Sequence, residues 1–179
     1  GNKAEEMIDV SKCEMTRYPA PVLRKRAATV EQIDDSIRQL VEKMTDLMIK
    51  FKGVGFAAPQ AGVGLRLFIV SLSGTRDHVR VYINPTVTLE GDLEEAEEGC
   101  LSVPGIWVKI RRYKKVVVTA TGLDGKQFTE EVEGMHARCV QHEYDHIEGT
   151  MIVNRMSPTA RIANRRQLKK LVEAQESQV

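Results

Sequence analysis

Five consecutive residues, His142-Glu143-Tyr144-Asp145-His146, bring two imidazoles and a carboxylate into one short stretch. On an α-helix, positions four apart are offset by only ~40° and rise ~6 Å, so His142 and His146 can share one metal while Glu143 points into the neighbouring volume. HExxH on a helix is the signature of metal-assisted hydrolysis, with the histidines as ligands and the glutamate as general base. The same letters on a solvated helix would do nothing, so the flanking pattern decides. Met135, Cys139 and Val140 recur at helical spacing with the histidines, and Gly149, followed by the mostly β-branched stretch 150–153, predicts the helix stop.

A catalytic site of this kind needs three protein ligands and one open position. After His146 the chain has no His or Cys and few carboxylates; Glu148 is too close on the same helix, and Glu173 and Glu176 fall in the tail. The upstream choices are Cys13, His78, Cys100, His136 and Cys139. Cys100 stands out because Gly99, in Glu98-Gly99-Cys100-Leu101-Ser102, lets the backbone approach a substrate. Cys139, on the apolar side of the helix, reads as a small buried hydrophobe.

The elements that must position these groups form an α+β pattern without repeats. Asp34-Asp35-Ser36 supplies N-cap chemistry, after which Ile37, Leu40, Val41, Met44, Leu47, Met48 and Phe51 follow helical spacing, and Gly53 is expected to end the helix. Residues 65–72 and 79–83 read as strands, with Asn84-Pro85 breaking the second. A hairpin pairs 116–121 with 127–132 around Asp124-Gly125, suited to a type I′ turn. Strands thus cluster between the first helix and the HExxH helix, which predicts antiparallel or mixed β-sheet packed around a central metal-binding helix, with an N-terminal and a C-terminal helix.

Composition agrees with a small enzyme. At 179 residues the chain suits one buried core rather than two, so a single catalytic domain over 1–179 is expected, with 1–14 as a flexible arm and 157–175 as a C-terminal helix. The apolar fraction is 42%, and a net charge of +1 gives no global pull toward DNA or a membrane surface. No apolar run approaches the ~18 residues of a membrane span, and the polar N-terminus lacks a secretory apolar region. As residue 1 is Gly, a processed, trimmed or tagged chain is expected. Three cysteines, one of them a ligand, argue against a disulfide framework and for a reducing compartment.

Three segments together resemble, in order, the signature motifs of the peptide deformylase family: Gly53-Val54-Gly55-Phe56-Ala57-Ala58-Pro59-Gln60, Glu98-Gly99-Cys100-Leu101-Ser102 and Gln141-His142-Glu143-Tyr144-Asp145-His146. The similarity runs from about Tyr18 to Met156. Phe56 and Ile147 stand where leucine is commoner in the family. Trp107 stands where many bacterial relatives carry an arginine near the substrate rim, a difference that bears on peptide preference beyond the first residue. The resemblance implies removal of the formyl group from N-formylmethionyl nascent peptides, with Cys100, His142 and His146 holding one divalent metal and Glu143 as base. It implies the Gln60 side chain and the Leu101 backbone N–H as oxyanion donors, and a peptide lying as an added strand along Val54 and Gly99. Gly53 and Gly55 would leave room for that peptide, and Val54, Leu101, Cys139 and the His142 ring would form the methionine pocket. Fe²⁺ is the implied physiological metal, with Zn²⁺, Ni²⁺ or Co²⁺ in purified protein. Groups behind the ligands must fix the imidazoles, and Gln141 and Asp145 are the nearby candidates, the alternative being that they are ordinary polar residues of the helix.

Ser157-Pro158 predicts a further helix start, with Arg161, Arg165, Arg166, Lys169 and Lys170 on one half of the wheel and Leu168, Leu171 and Val172 on the other. This is either a solvated face or, for an enzyme acting on nascent chains, a contact with ribosomal RNA. A monomer is expected, in a bacterial cytoplasm or in a mitochondrion or plastid after transit-peptide removal. The alternatives are an HExxH peptidase, which needs a downstream ligand, and a non-catalytic metal-binding ribosomal factor, which needs neither Glu143 nor Gln60.

Overall fold

The computed structural model of the chain describes residues 8–177. Helix α1 (Asp35–Lys50) begins as its cap dictates, the Asp34 carboxylate accepting from the Ile37 N–H. Ile37, Leu40, Met44 and Met48 are fully buried along its inner stripe. Its end differs from expectation. Lys52, with φ 60, takes the left-handed position, its N–H donating to the Ile49 carbonyl at 3.1 Å while the Gly53 N–H donates to that of Met48 at 2.9 Å. Gly53 is therefore the residue after the turn, and a Cβ there would lie 2.7 Å from the Leu101 side chain.

Among the described residues five strands, β1 (Gly55–Ala57), β2 (Leu67–Val70), β3 (Arg80–Cys100), β4 (Val103–Thr121) and β5 (Gln127–Glu133), form an antiparallel meander in sequence order. Asn84-Pro85 does not break β3. It forms a bulge where the register shifts between Ile83 and Thr86, and the Asn84 amide is tied to the Val30 N–H and carbonyl at 2.9 and 2.8 Å. A bulge tolerates the N–H that proline lacks. β3 and β4 therefore extend far beyond 79–83 and 116–121. Residues 90–98, six of them acidic, show no apolar alternation; the antiparallel ladder to β4 pairs them, with opposite charges such as Arg111 facing Glu95. The β4–β5 connection also differs from the expected type I′ turn. Gly125 alone is left-handed (φ 78) and its N–H returns to the Gly122 carbonyl at 3.0 Å, which makes a type I turn with a glycine bulge.

Successive residues of β2 face opposite sides: Leu67 and Ile69 pack with Leu40, Met44 and Met48 of α1, whereas Phe68 and Val70 pack with Ala137, Val140 and Ile147 of α2 (Gly134–Ile147). Covered on both faces, β2 is wholly apolar. α2 ends at the predicted place, with the Gly149 and Thr150 N–H groups donating to the His146 and Asp145 carbonyls. Buried Arg66 donates to the Ile147 carbonyl at 3.0 Å, placing a cation at the helix C-terminus.

A short α3 (Ile152–Arg155) leads to α4 (Pro158–Ala163) and α5 (Arg165–Glu176). Ser157 caps α4 through the Ala160 N–H, but the expected single helix over 157–175 turns at Asn164, whose amide donates to the Ala160 carbonyl. The turn lets Leu168 and Leu171 settle against Val103, Ile106 and Ile110 behind the β3–β4 hairpin. Of the expected arm, residues 1–7 lie outside the described residues. Residues 8–14 are not a free arm: Cys13 is buried against α1 with Ile8 and Met15 beside it, and Thr16 N–H reaches the Gln60 carbonyl at 2.7 Å. Apolar Ile8, Cys13 and Met15 supply the anchoring that a polar average conceals. No helix among the described residues is long and apolar enough to cross a membrane.

Candidate active site

Helix α2 places the His142 and His146 rings edge to face, 5.2 Å between centroids. The end of β3 brings Cys100 to them, its Sγ 3.4 Å from His146 Nε2, and one ligand atom from each of the three residues lies within 4.8 Å of the others. A thiolate and two imidazoles make a donor set that fits one divalent transition metal. The other upstream choices lie elsewhere: Cys13 in the core, His78 in an exposed turn hydrogen-bonded to Ser73, His136 against Tyr82, and Cys139 buried.

The imidazoles are not oriented by Gln141 and Asp145 as expected. Gln141 bonds both backbone groups of Tyr113, at 3.0 and 2.8 Å, and so pins α2 to β4, while Asp145 pairs with Arg112 and Arg155. Glu98 takes that role: Oε1 accepts from His142 Nδ1 at 2.9 Å, which leaves Nε2 for the metal side. Arg112 grips both Glu98 oxygens at 2.9 Å and Arg138 adds a third bond at 2.6 Å. Sequence reasoning missed Glu98 and Arg112. The available signal was that Glu98 lies two residues before Cys100 and so shares its strand face, but no strand was expected there.

Burial acts to raise the Glu98 carboxyl, yet the bonds from Arg112 and His142 outweigh it and hold it well below the usual carboxylate range. Burial above all pushes Glu143 the other way, up to about 7, with the Glu98 carboxylate adding to the rise and His142 opposing it. Its Oε1 is buried with no hydrogen-bond partner among the described residues, and Oε2 lies 4.0 Å from His142 Nε2. For His146, burial and then the neighbouring His142 lower the pKa well below the ordinary imidazole value. For His142, burial is outweighed by Glu143, Cys100 and Glu98, and the ring sits well above it. Those same anions would stabilise a dication, for which a proton on Nε2 is the competitor.

Gln60, buried in the turn after β1, is held by its own backbone neighbour: Oε1 accepts from the Ala57 N–H at 3.0 Å. Its NH₂ therefore faces the other way, 3.2 Å from Ser102 Oγ and 3.9 Å from Cys100 Sγ. A cleft of about 460 Å³ opens over these groups, and Val54, Gly55, Gly99, Leu101 and Cys139 line it together with Cys100, His142 and Glu143. The glycines also make room for side chains of the protein itself. A Cβ on Gly55 would stand 2.6 Å from Glu143 Oε2, and one on Gly99 2.7 Å from the Trp107 ring, so the protein's own side chains occupy that space.

The comparisons agree with this geometry. The family model described as Polypeptide deformylase matches residues 12–161. Peptide deformylase 2 of Nitrosomonas europaea is 44% identical over 142 residues, covering 79% of this chain and 77% of that one. Among solved structures, a peptide deformylase from Legionella pneumophila superposes with TM-score 0.85 at 40% identity, covering 92% of this chain and 97% of that one. One from Plasmodium falciparum gives 0.88 at 30% identity, covering 92% and 98%. With motifs, fold and ligand cluster in agreement, the chain belongs to the polypeptide deformylase family.

Proposed function

We propose that this protein is a metal-dependent hydrolase that removes the formyl group from the N-terminal formylmethionine of newly made polypeptides, releasing formate and a free α-amine. The observation that carries the reading is the Cys100–His142–His146 cluster with the unpartnered carboxylate oxygen of Glu143 buried beside it. A metal held by these three side chains would supply Lewis acidity and bring the pKa of water from ~16 toward about 7. Glu143, buried beside the ligands with one carboxylate oxygen free of partners among the described residues, takes the proton at its carboxylate during attack on the formyl carbon and returns it to the leaving nitrogen. The Gln60 NH₂, locked by the Ala57 N–H, donates to the formyl oxygen as negative charge develops there, with the Leu101 backbone N–H as second donor. Glu98 keeps the His142 ring in place throughout.

The methionine side chain occupies the apolar part of the cleft bounded by Val54, Leu101, Cys139 and the His142 ring, while the peptide backbone runs along Val54, Gly55 and Gly99. Fe²⁺ is the proposed native metal, with Zn²⁺, Ni²⁺ or Co²⁺ replacing it in purified protein; the mixed thiolate and imidazole donors serve each. We assign the whole chain to a single catalytic domain acting as a monomer. The exposed cations of α5 are a proposed ribosome contact. The bacterial, plant and Plasmodium relatives support a bacterial cytoplasm and, equally, an organelle.

Formate release from formyl-Met-Ala-Ser, set against cleavage of the unformylated peptide and combined with metal analysis after anaerobic purification, tests the reading. Formate with no internal cleavage is expected. Internal cleavage would establish a peptidase, and metal binding without turnover a non-catalytic factor.

A further inference from the structure

Three large apolar side chains that the fold leaves exposed line the same cleft: Trp107 at 66%, Met135 at 63% and Val54 at 38%. Trp107 is the most unusual, an indole on the face of β4 opposite buried Ile106, Val108 and Ile110. It pairs with Gly99 across the hairpin, and three ring carbons come within 2.7–2.9 Å of where a Cβ on Gly99 would stand, so the ring lies over bare backbone at the cleft edge. β2 pairs with β3 only as far as Ile83, so at Gly99 β3 has no strand partner but β4 among the described residues.

We infer that Trp107 is a specificity-determining residue, forming a stacking platform for the side chain of the second residue of the formyl peptide and favouring an aromatic or bulky apolar residue there. The inference rests on the deformylase reading and on side-chain alternation. A peptide extended along the Gly99 edge sends successive side chains to opposite faces. The methionine points to the inner face, where Cys139 and His142 line the cleft. The next side chain then points to the face that Gly99 shares with Trp107, and the third turns inward again. An indole offers a second-position aromatic ring an offset stack, whereas its π face repels a carboxylate and only its edge N–H could donate to one.

Steady-state rates on formyl-Met-Xaa-Ser, with Xaa as Phe, Leu, Ala or Glu, test this in wild type, Trp107→Ala and Trp107→Phe. Wild type should favour Phe over Ala by about three- to tenfold in kcat/KM, Trp107→Ala should erase most of that ratio, and Trp107→Phe should restore part of it. Trp107 is the single tryptophan of the chain, so its emission reports the ring directly. In metal-loaded Glu143→Gln protein, formyl-Met-Phe-Ser should shift that emission to the blue more than formyl-Met-Ala-Ser does. Turnover of all four peptides at rates independent of residue 107 would overturn the inference and leave the deformylase reading intact. In formyl-Met-Ala-Phe, assayed beside them, a gain from Phe at the third position that depends on residue 107 would overturn the alternation argument, and no turnover of any formyl peptide would overturn both.

Discussion

Glu98 is the position at which stability and chemistry are most tightly joined. Its carboxylate, 7% exposed, accepts two bonds from Arg112, one from Arg138 and one from His142. Glu98→Ala removes the anion and leaves those donors without it. Breaking one side of a buried ion pair costs ~3–5 kcal/mol, and because Arg112 keeps Asp145 at 2.6 Å, about 3 kcal/mol is the better expectation. At about 2–4 °C per kcal/mol for a chain of this size, the melting temperature of metal-free protein should fall by roughly 6–12 °C. Loss of the bond to His142 Nδ1 should also weaken metal binding by about 10–100-fold in a chelator competition. Glu98→Gln should fall between the two, since an amide can still accept from His142 but turns a donor toward an arginine.

The pH dependence has a defined sign. The folded carboxyl titrates below its unfolded value of ~4.3, so the stability Glu98 contributes is present above that value and is lost as pH falls through the folded pKa. The gap between wild type and Glu98→Ala should therefore be full at neutral pH and close in acid. A Glu98→Ala protein that melts with wild type and holds metal as tightly would refute the assignment of Glu98 as the support of the site.

Glu143→Gln should retain metal while losing deformylation by about 10²–10⁴-fold, and a rate within a few-fold of wild type would remove Glu143 from its role. Cys100→Ser should deplete bound metal, measured by elemental analysis, whereas Cys139→Ser should not, because burial pushes the Cys139 thiol up to about 12 and keeps it protonated; the opposite pattern would reverse the ligand assignment. Gly55→Ala drives a methyl to 2.6 Å from Glu143 Oε2, and a displacement of ~1 Å in the base should cost on the order of 10²-fold in kcat with metal content unchanged. Replacing exposed Arg165, Arg166, Lys169 and Lys170 with glutamine should spare hydrolysis of a short formyl peptide and weaken salt-sensitive cosedimentation with ribosomes; equal pelleting would make the stripe a solvated face. Arg161 is left out of that set because its guanidinium donates to the Val153 carbonyl.

The local parts of this protein were legible in the sequence because their causes are local. Asp34 caps α1, Ser157 caps α4 and Gly149 closes α2, each through bonds spanning a few residues, and the spacing of His142, Glu143 and His146 puts them on one helix. Where a competing local signal existed, the tertiary structure chose: Lys52 rather than Gly53 turned left-handed, leaving Gly53 against Leu101, and Asn84-Pro85 became a bulge because the Asn84 amide found Val30. The extent of β3 and β4 could not be read from residues 90–98, since a largely acidic stretch without alternation becomes a strand only through its ladder to β4 and the opposite charges that face it there. For the same reason the Glu98–Arg112–Asp145 chain and the tie of Gln60 to Ala57 were decided by the fold. The sequence names the groups that can ionise or donate, but a pKa and a direction of donation belong to the neighbours and the depth of burial, which come into being only when strands and helix meet.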